Sequence, residues 1–198
     1  MEKTTQKKSK FSVRDITAIA LMAALVFVAT NIKIDIPTPL GKTMIHCGNV
    51  VCVLGGLLFG GLYGGLAAGI GSAIFDLLDP IFAPEFWITF IMKFIMAYVA
   101  GKIANSGTPS QKKIVISSIT GILLYKVVYT VKEVILHYFI LKSPWETVIG
   151  VIMSTNLISI VSMGFSIITT ILLYNLVAPA LYRAGVIKRY AKHEKKDA

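Results

Sequence analysis

The sequence predicts an all-α integral membrane protein with six transmembrane helices and both termini in the cytoplasm. Hydrophobic residues make up 55% of the chain, and its mean hydropathy is +0.73, whereas soluble domains contain roughly 45–50% apolar residues. Long stretches lack the polar face that a helix in water needs, while a helix in lipid satisfies its backbone polar groups internally. We therefore expect one transmembrane domain, residues 1–198, in the cell membrane.

The first apolar segment, residues 13–32, is long enough to cross the ~30 Å hydrocarbon core of a bilayer, which takes roughly 20 residues. A basic start precedes it, as in a signal peptide, but no A-x-A-type cleavage site follows it. We therefore predict a retained first helix. The prolines and glycine of the next segment, 33–49, exclude a continuous helix. A loop of this length between spans is often a lid.

One apolar block, residues 50–78, is too long for a single ordinary span and short for two. Two pairs of adjacent glycines interrupt its middle, so we divide it into short helices at 49–62 and 64–78. Half of the 16 glycines lie between 55 and 71, several of them four residues apart. In lipid this spacing lets helix backbones approach closely, so the glycines either pack inside the monomer or form a smooth surface against a partner.

The last three helices are bounded by prolines and polar loops. The first of them, 86–104, follows a proline-rich turn. The second, 114–141, has 28 residues and must tilt or project beyond the lipid. Pro179 is expected to end the third, 147–177.

Basic residues flank the spans. Segments that this topology places inside hold 14 Lys and Arg, and the outer loops hold three; an excess of basic residues marks cytoplasmic segments. The basic tails, 1–12 and 180–198, are expected to contact anionic lipid. Because these clusters flank apolar spans, the net charge of +10 indicates lipid and not nucleic acid.

Ionisable residues within spans are few and costly, about 2.5–3.5 kcal/mol each on insertion scales. On the fifth helix, Lys126, Glu133 and His137 recur at the spacing of one helix face. Lys93 and Lys132 are further charged candidates. Either Glu133 forms an internal ion pair with one of these lysines, or the polar face lines a cavity for a small solute.

On the cavity interpretation, the binding residues come from the first outer loop and the last three helices. His46 could instead be a surface histidine, and Trp87 an aromatic residue of the membrane interface. The predicted substrate-binding residues are Asp35, His46, Asn49, Trp87, Lys93, Lys126, Tyr129, Glu133, His137 and Asn156.

Sequence motifs of common enzymes do not occur in this chain. It has no HExxH, GxSxG, P-loop or GxGxxG, and we expect no catalytic residue, metal site or cofactor. Asp76 and Asp79 could hold a metal in a membrane enzyme, but such a site normally needs more carboxylates, which favours a turn role for Asp79 before Pro80. The other alternative is a gradient-driven secondary transporter with Glu133 and His137 as its proton relay.

Several segments resemble the S components of energy-coupling factor (ECF) transporters, the vitamin-capturing membrane subunits, and the resemblance covers nearly the whole chain. The most specific parts are IPTPLGKTMIHCGN and LLFGGLYGGLAAGIGSAIFDLL. In this family, small residues spaced A-x-x-x-A on the first helix contact the coupling subunit. Ala20 and Ala24 match that spacing, with Ala23 beside them, so the resemblance implies a docking role for these alanines.

The resemblance also implies a mechanism. An S component binds its vitamin at the outer side, under the first loop and between helices 4, 5 and 6. It then associates with a coupling membrane subunit and two ATPases, so ATP is used by the partners.

The pattern is most similar to carriers of small ring vitamins or precursors such as pyridoxine or hydroxymethylpyrimidine, with riboflavin and pantothenate carriers as near relatives. We expect a high-affinity binding subunit, with pyridoxine or a related ring compound as ligand. On this hypothesis Glu133 pairs a protonated ring nitrogen, and Lys93 or Lys126 holds a phenolate or carboxylate.

Overall fold

The computed structural model of the protein describes residues 12–38 and 41–187, so most of the two basic tails lies outside the described residues. Within that part of the chain, six α-helices and a β-hairpin follow one another. The helices are α1 (Val13–Asn31), α2 (Gly48–Phe59), α3 (Gly61–Leu78), α4 (Phe86–Ala104), α5 (Gln111–Val134) and α6 (Trp145–Arg183), and the strands are β1 (Lys33–Thr38) and β2 (Gly41–His46).

The helices have the length and surface of membrane spans. Five are long and apolar enough to cross a bilayer, and α2, with 12 residues, is apolar but shorter. Large apolar side chains are exposed on the outside of the bundle, among them Leu25, Leu123 and Leu172, which is the surface that lipid requires. The predicted fold class is therefore confirmed.

The long apolar block is divided into α2 and α3, as predicted, but the break falls at Gly60 and not at residue 63. Gly60 has φ +84°, a backbone conformation that side-chain-bearing residues rarely adopt. Its N–H donates to the carbonyl of Gly56 and closes α2. One glycine thus reverses the chain between the two helices.

The other glycines of this block let helices approach within the monomer. A methyl group on Gly56 would overlap the backbone of Ala97 on α4, and one on Gly71 would overlap the backbone of Ala23 on α1. The monomer-packing interpretation of the glycine spacing is therefore supported, because these contacts join helices of one chain.

The predicted loop between the first two helices is largely a β-hairpin. Its strands are antiparallel, with Lys33 opposite His46 and Thr38 opposite Gly41. The Lys33 ammonium lies 3.3 Å from Asp79 on the α3–α4 connection. Asp79 also accepts from the N–H of Ile81, which confirms its predicted turn role.

The last two helices differ from their predicted bounds. α5 begins at 111, where the Ser110 side chain accepts from the N–H of Lys113, and it continues as a π-helix over Ile135–Ile140. Pro179 does not end α6, which continues to Arg183, so that prediction is wrong. A proline removes one backbone hydrogen bond, and burial of the neighbouring Ala178 keeps this turn packed against the core.

The described chain ends meet at one end of the bundle. The Arg14 guanidinium donates to the carbonyl of Gly185, and the hairpin lies at the opposite end together with the α3–α4 connection. We call the end of the bundle that carries the hairpin the hairpin end. The arrangement agrees with an even number of spans, while the cytoplasmic location of the termini stays a prediction.

Replacing Gly56 with Ala should destabilise the bundle by about 1–3 kcal/mol, because the added methyl group meets the α4 backbone. Gly150→Ala is the matched control, since nothing lies within 4 Å of a methyl group there. Thermal unfolding in detergent should show a lower midpoint for Gly56→Ala and an unchanged or slightly raised one for Gly150→Ala. Equal midpoints for both variants would contradict the packing account.

Candidate substrate-binding site

A cavity of about 100 Å³ lies at the hairpin end, between the hairpin and the helices. Every helix contributes to its wall, as do β2 and the α3–α4 connection. Its lining combines aromatic rings, hydroxyl groups and charged side chains, with methionines from α4, α6 and the hairpin. A pocket with a few convergent polar groups has the form of a small-molecule site.

Lys93 brings a cation to the cavity from α4. The side chain is only 3% exposed, and its ammonium donates to the Asn49 side-chain oxygen at the start of α2. The same ammonium lies 4.0 Å from the centre of the Tyr125 ring. Among the described residues, no carboxylate lies within ion-pair distance of it. Its direct partners are therefore an amide dipole and an aromatic face, while the charge of Asp76 acts from farther away.

Lys126 brings a second cation from α5. Its ammonium donates to the Ser159 hydroxyl at 2.8 Å, and Ser159 in turn donates to the Thr155 carbonyl at 2.6 Å. The ammonium also lies 5.1 Å from the centre of the Tyr129 ring. Both cavity lysines are thus held by neutral groups and can accept an anionic or acceptor group of a ligand.

A buried carboxylate faces the same cavity. Asp76, near the end of α3, is 5% exposed and is hydrogen-bonded to the Thr89 side chain of α4. Both residues line the cavity. The site therefore presents a negative group as well as positive ones.

His46 closes the cavity from the hairpin. It is buried, so the surface-histidine alternative is wrong, and its Nδ1 accepts from the N–H of Gly48 at 3.0 Å. Burial, followed by the charges of Lys93 and Lys33, lowers the pKa of His46 from 6.5 to about 3. The ring is therefore neutral at physiological pH and carries its hydrogen on Nε2.

Glu133 belongs to an ionic cluster beside the cavity. Its carboxylate lies 2.6 Å from the Lys132 ammonium and 3.1 Å from Nε2 of His137, and Lys132 also reaches Glu85 at 2.9 Å. Both sequence interpretations of the polar face therefore have a counterpart in the structure. Glu133 forms the internal ion pair with Lys132, while Lys126 faces the cavity.

The structure brings half of the predicted binding residues together. His46, Asn49, Lys93, Lys126 and Tyr129 line the cavity. Their binding roles stay predictions, as do those of the other five.

The other five lie outside the cavity lining. Asp35 lies on the hairpin beside Lys33, and Trp87 is 54% exposed on the outer surface. Asn156 accepts from Thr130 at 3.5 Å. Glu133 and His137 form the neighbouring ionic cluster.

The predicted set of substrate-binding residues omits most of the residues that line the cavity. The α4 members follow a helical spacing after Glu85 that could have been found, whereas the contributions of α1, α3 and the hairpin depend on how the chain folds over the site. The lining residues absent from the predicted set are Thr30, Met44, Ser72, Asp76, Phe82, Glu85, Thr89, Met92, Ile122, Tyr125, Ile158, Ser159, Ser162 and Met163.

The predicted docking alanines separate into two groups. Ala20 and Ala24 are exposed on α1, whereas Ala23 is 5% exposed and packs against α3. An A-x-x-x-A pair is thus available on the outer surface. Its docking role stays a prediction.

Comparison with known proteins gives matches of two kinds, to a family and to solved structures. The family model of the ECF-type riboflavin transporter S component matches residues 10–178. A solved structure of the S component of a bacterial ECF transporter matches with a TM-score of 0.64 and 22% identity, covering 85% of this chain and 97% of that chain. No curated protein matches this chain.

The two kinds of match establish different things. At 22% identity the structural likeness shows the fold, and it confirms the six-helix S-component architecture. The family model spans most of the chain and shows the family, which is a transporter subunit and not an enzyme. The protein is a multi-pass membrane protein that belongs to the family of ECF-type riboflavin transporter S components, the substrate-binding subunits of ECF transporters.

Proposed function

We propose that this S component captures a compact ring vitamin or vitamin precursor, with pyridoxine as the best-matched compound, in the cavity at the hairpin end. Delivery then follows association with a coupling membrane subunit and two ATPases. The observation that carries the proposal is the placement of two lysines without carboxylates at ion-pair distance, Lys93 and Lys126, in a cavity beside aromatic rings.

The wall chemistry suits a planar ring with polar substituents. Tyr125 and Tyr129 offer aromatic faces, against which a ring gains both apolar burial and favourable ring geometry. Lys93 and Lys126 supply charge-assisted hydrogen bonds, which are stronger than neutral ones, to a phenolate, carboxylate or carbonyl oxygen. Hydroxyls of Ser159 and Ser162 can bind the hydroxymethyl groups of such a compound.

Cavity size supports a single ring. A volume of about 100 Å³ lies below the roughly 300–1,000 Å³ of pockets that hold drug-sized ligands. The description of the matching family names riboflavin, which makes that larger tricyclic vitamin the competing ligand. Riboflavin would require the hairpin or the α3–α4 connection to move outward, whereas a one-ring compound needs less space.

Replacing Lys93 with Met should weaken binding of the ring compound about tenfold or more, because the variant keeps the apolar stem and loses the charged donor. Lys112→Met is the matched control, since Lys112 is exposed on α5 far from the cavity. Calorimetric titration of the purified protein with pyridoxine measures both. Unchanged affinity in Lys93→Met would remove this lysine from the site.

Transport in reconstituted vesicles tests the delivery step. Uptake of radiolabelled pyridoxine should require ATP together with the coupling subunit and ATPases, and a proton or ion gradient alone should give none. Uptake driven by a gradient without partners would instead support a stand-alone secondary transporter, with the Glu133–His137 pair as its proton relay.

The same vesicles test the docking surface. Ala20→Leu and Ala24→Leu should preserve binding and lower ATP-driven uptake severalfold, because bulky side chains prevent close helix approach. Gly164→Leu adds similar bulk at an exposed, open position of α6 and serves as the control. Normal uptake by both alanine variants would show that α1 docks elsewhere or not at all.

A further inference from the structure

The charged groups of the cavity are segregated by depth. Asp76 and Glu85 lie next to the α3–α4 connection, at the hairpin end, and Lys93 and Lys126 lie farther toward the middle of the bundle. The carboxylates of the cavity lining therefore lie nearer the hairpin end, and its ammonium groups lie nearer the middle of the bundle.

The distance of each lysine from the hairpin end follows from its position along its own helix, α4 for Lys93 and α5 for Lys126. α4 begins at the hairpin end, and Lys93 follows Glu85 by eight residues, which corresponds to roughly 12 Å along the helix axis. α5 runs toward the hairpin end, where Lys132 contacts Glu85 at 2.9 Å. Lys126 precedes Lys132 by six residues and is therefore roughly 9 Å deeper.

The two carboxylates of the cavity lining are not equivalent. Glu85 is paired with the Lys132 ammonium, which it shares with Glu133. Asp76 is hydrogen-bonded to Thr89 and feels the charge of Lys93, but among the described residues no cation lies within ion-pair distance of it. A carboxylate that is buried in a polar cavity without such a partner is the group best placed to receive a cationic or N–H donor from a ligand.

On this basis we infer that Asp76 is the specificity-determining residue of the site and selects ligands with a protonated ring nitrogen or a ring-attached N–H donor. The inference rests on the proposed function and adds the class and orientation of the ligand. Its N–H end lies at Asp76 and Thr89 under the hairpin, and its phenolate or other oxygen acceptor lies at Lys93 and Lys126. The nitrogen-binding role expected for Glu133 moves to Asp76, because Glu133 is engaged with Lys132 and His137.

This arrangement fits the chemistry of 3-hydroxypyridines. Such a ring can carry its proton on nitrogen and its negative charge on the phenolic oxygen, so one molecule presents both of the groups that the cavity complements. Aminopyrimidines offer an N–H edge of the same kind. An isoalloxazine carries no positive charge at neutral pH, so it would offer Asp76 only a neutral imide N–H.

A cycle of two ligands and two proteins tests the inference. The ligands are pyridoxine and its carbocyclic analogue, in which CH replaces the ring nitrogen. The wild-type protein should prefer pyridoxine about tenfold or more. Asp76→Asn should bring this ratio close to one, mainly by weakening pyridoxine, whereas Glu146→Gln, which removes an exposed carboxylate at the start of α6, should leave the ratio unchanged.

Two further variants separate recognition from a structural effect. Lys93→Met should weaken both ligands by a similar factor and keep the ratio, because it removes the partner of the oxygen and not of the nitrogen. Thr89→Val should partly lower the preference for pyridoxine over the analogue, because it removes the hydroxyl that holds the Asp76 carboxylate. If Asp76→Asn does not fold, the result for Thr89→Val decides whether Asp76 selects the ligand.

The outcomes distinguish this inference from the proposed function. If the wild type binds both ligands equally, or if a folded Asp76→Asn protein or Thr89→Val keeps the full preference, the role of Asp76 is wrong while capture of a ring compound stands. If the wild type binds neither ligand, or binds riboflavin alone, the inference fails together with the choice of a compact ring compound.

Discussion

The site depends on the burial of the Lys93 ammonium against the first turn of a helix that is too short to span the membrane. α2 has 12 residues, or roughly 18 Å, against a hydrocarbon core of about 30 Å. Its N-terminus therefore begins inside the bundle, where Asn49 meets Lys93 of α4. The hairpin occupies the remaining height above it and places His46 as a neutral ring over the cavity. A full-length second helix would fill the space in which a ligand can bind.

Different interactions hold the helices together on the two sides of the cavity. α2, α3 and α4 approach at glycines such as Gly56 and Gly64, so their backbones pack with no room for an added methyl group. α5 and α6 contact each other through polar pairs, Lys126 with Ser159 and Thr130 with Asn156. Backbone packing tolerates little displacement, whereas polar pairs can exchange one partner for a ligand group. We therefore expect ligand binding to reorganise the α5–α6 side more than the glycine-packed side.

Local signals were sufficient for much of this architecture. Residue type and spacing alone predict that the long apolar block breaks at its glycines, although not the exact position of the break. They also predict the helix face that carries Lys126 and the role of Asp79 in a turn. The hairpin was missed because its prolines and glycine exclude a helix without specifying a strand, and Pro179 was misjudged because tertiary packing outweighs one missing hydrogen bond. Asp76 was placed at a membrane edge, since no local pattern shows that β2 and the α3–α4 connection fold over the end of α3. Residues brought together by such long-range contacts are not visible in a single sequence.

The central claim is that this S component captures a compact ring compound with an N–H end and an oxygen-acceptor end. Mass spectrometry of small molecules that co-purify with the detergent-solubilised protein tests it most directly, followed by titration of the compound found. The account predicts one tightly bound compound of this class at a one-to-one ratio. An empty protein that shows no saturable binding across B vitamins and their ring precursors would contradict it.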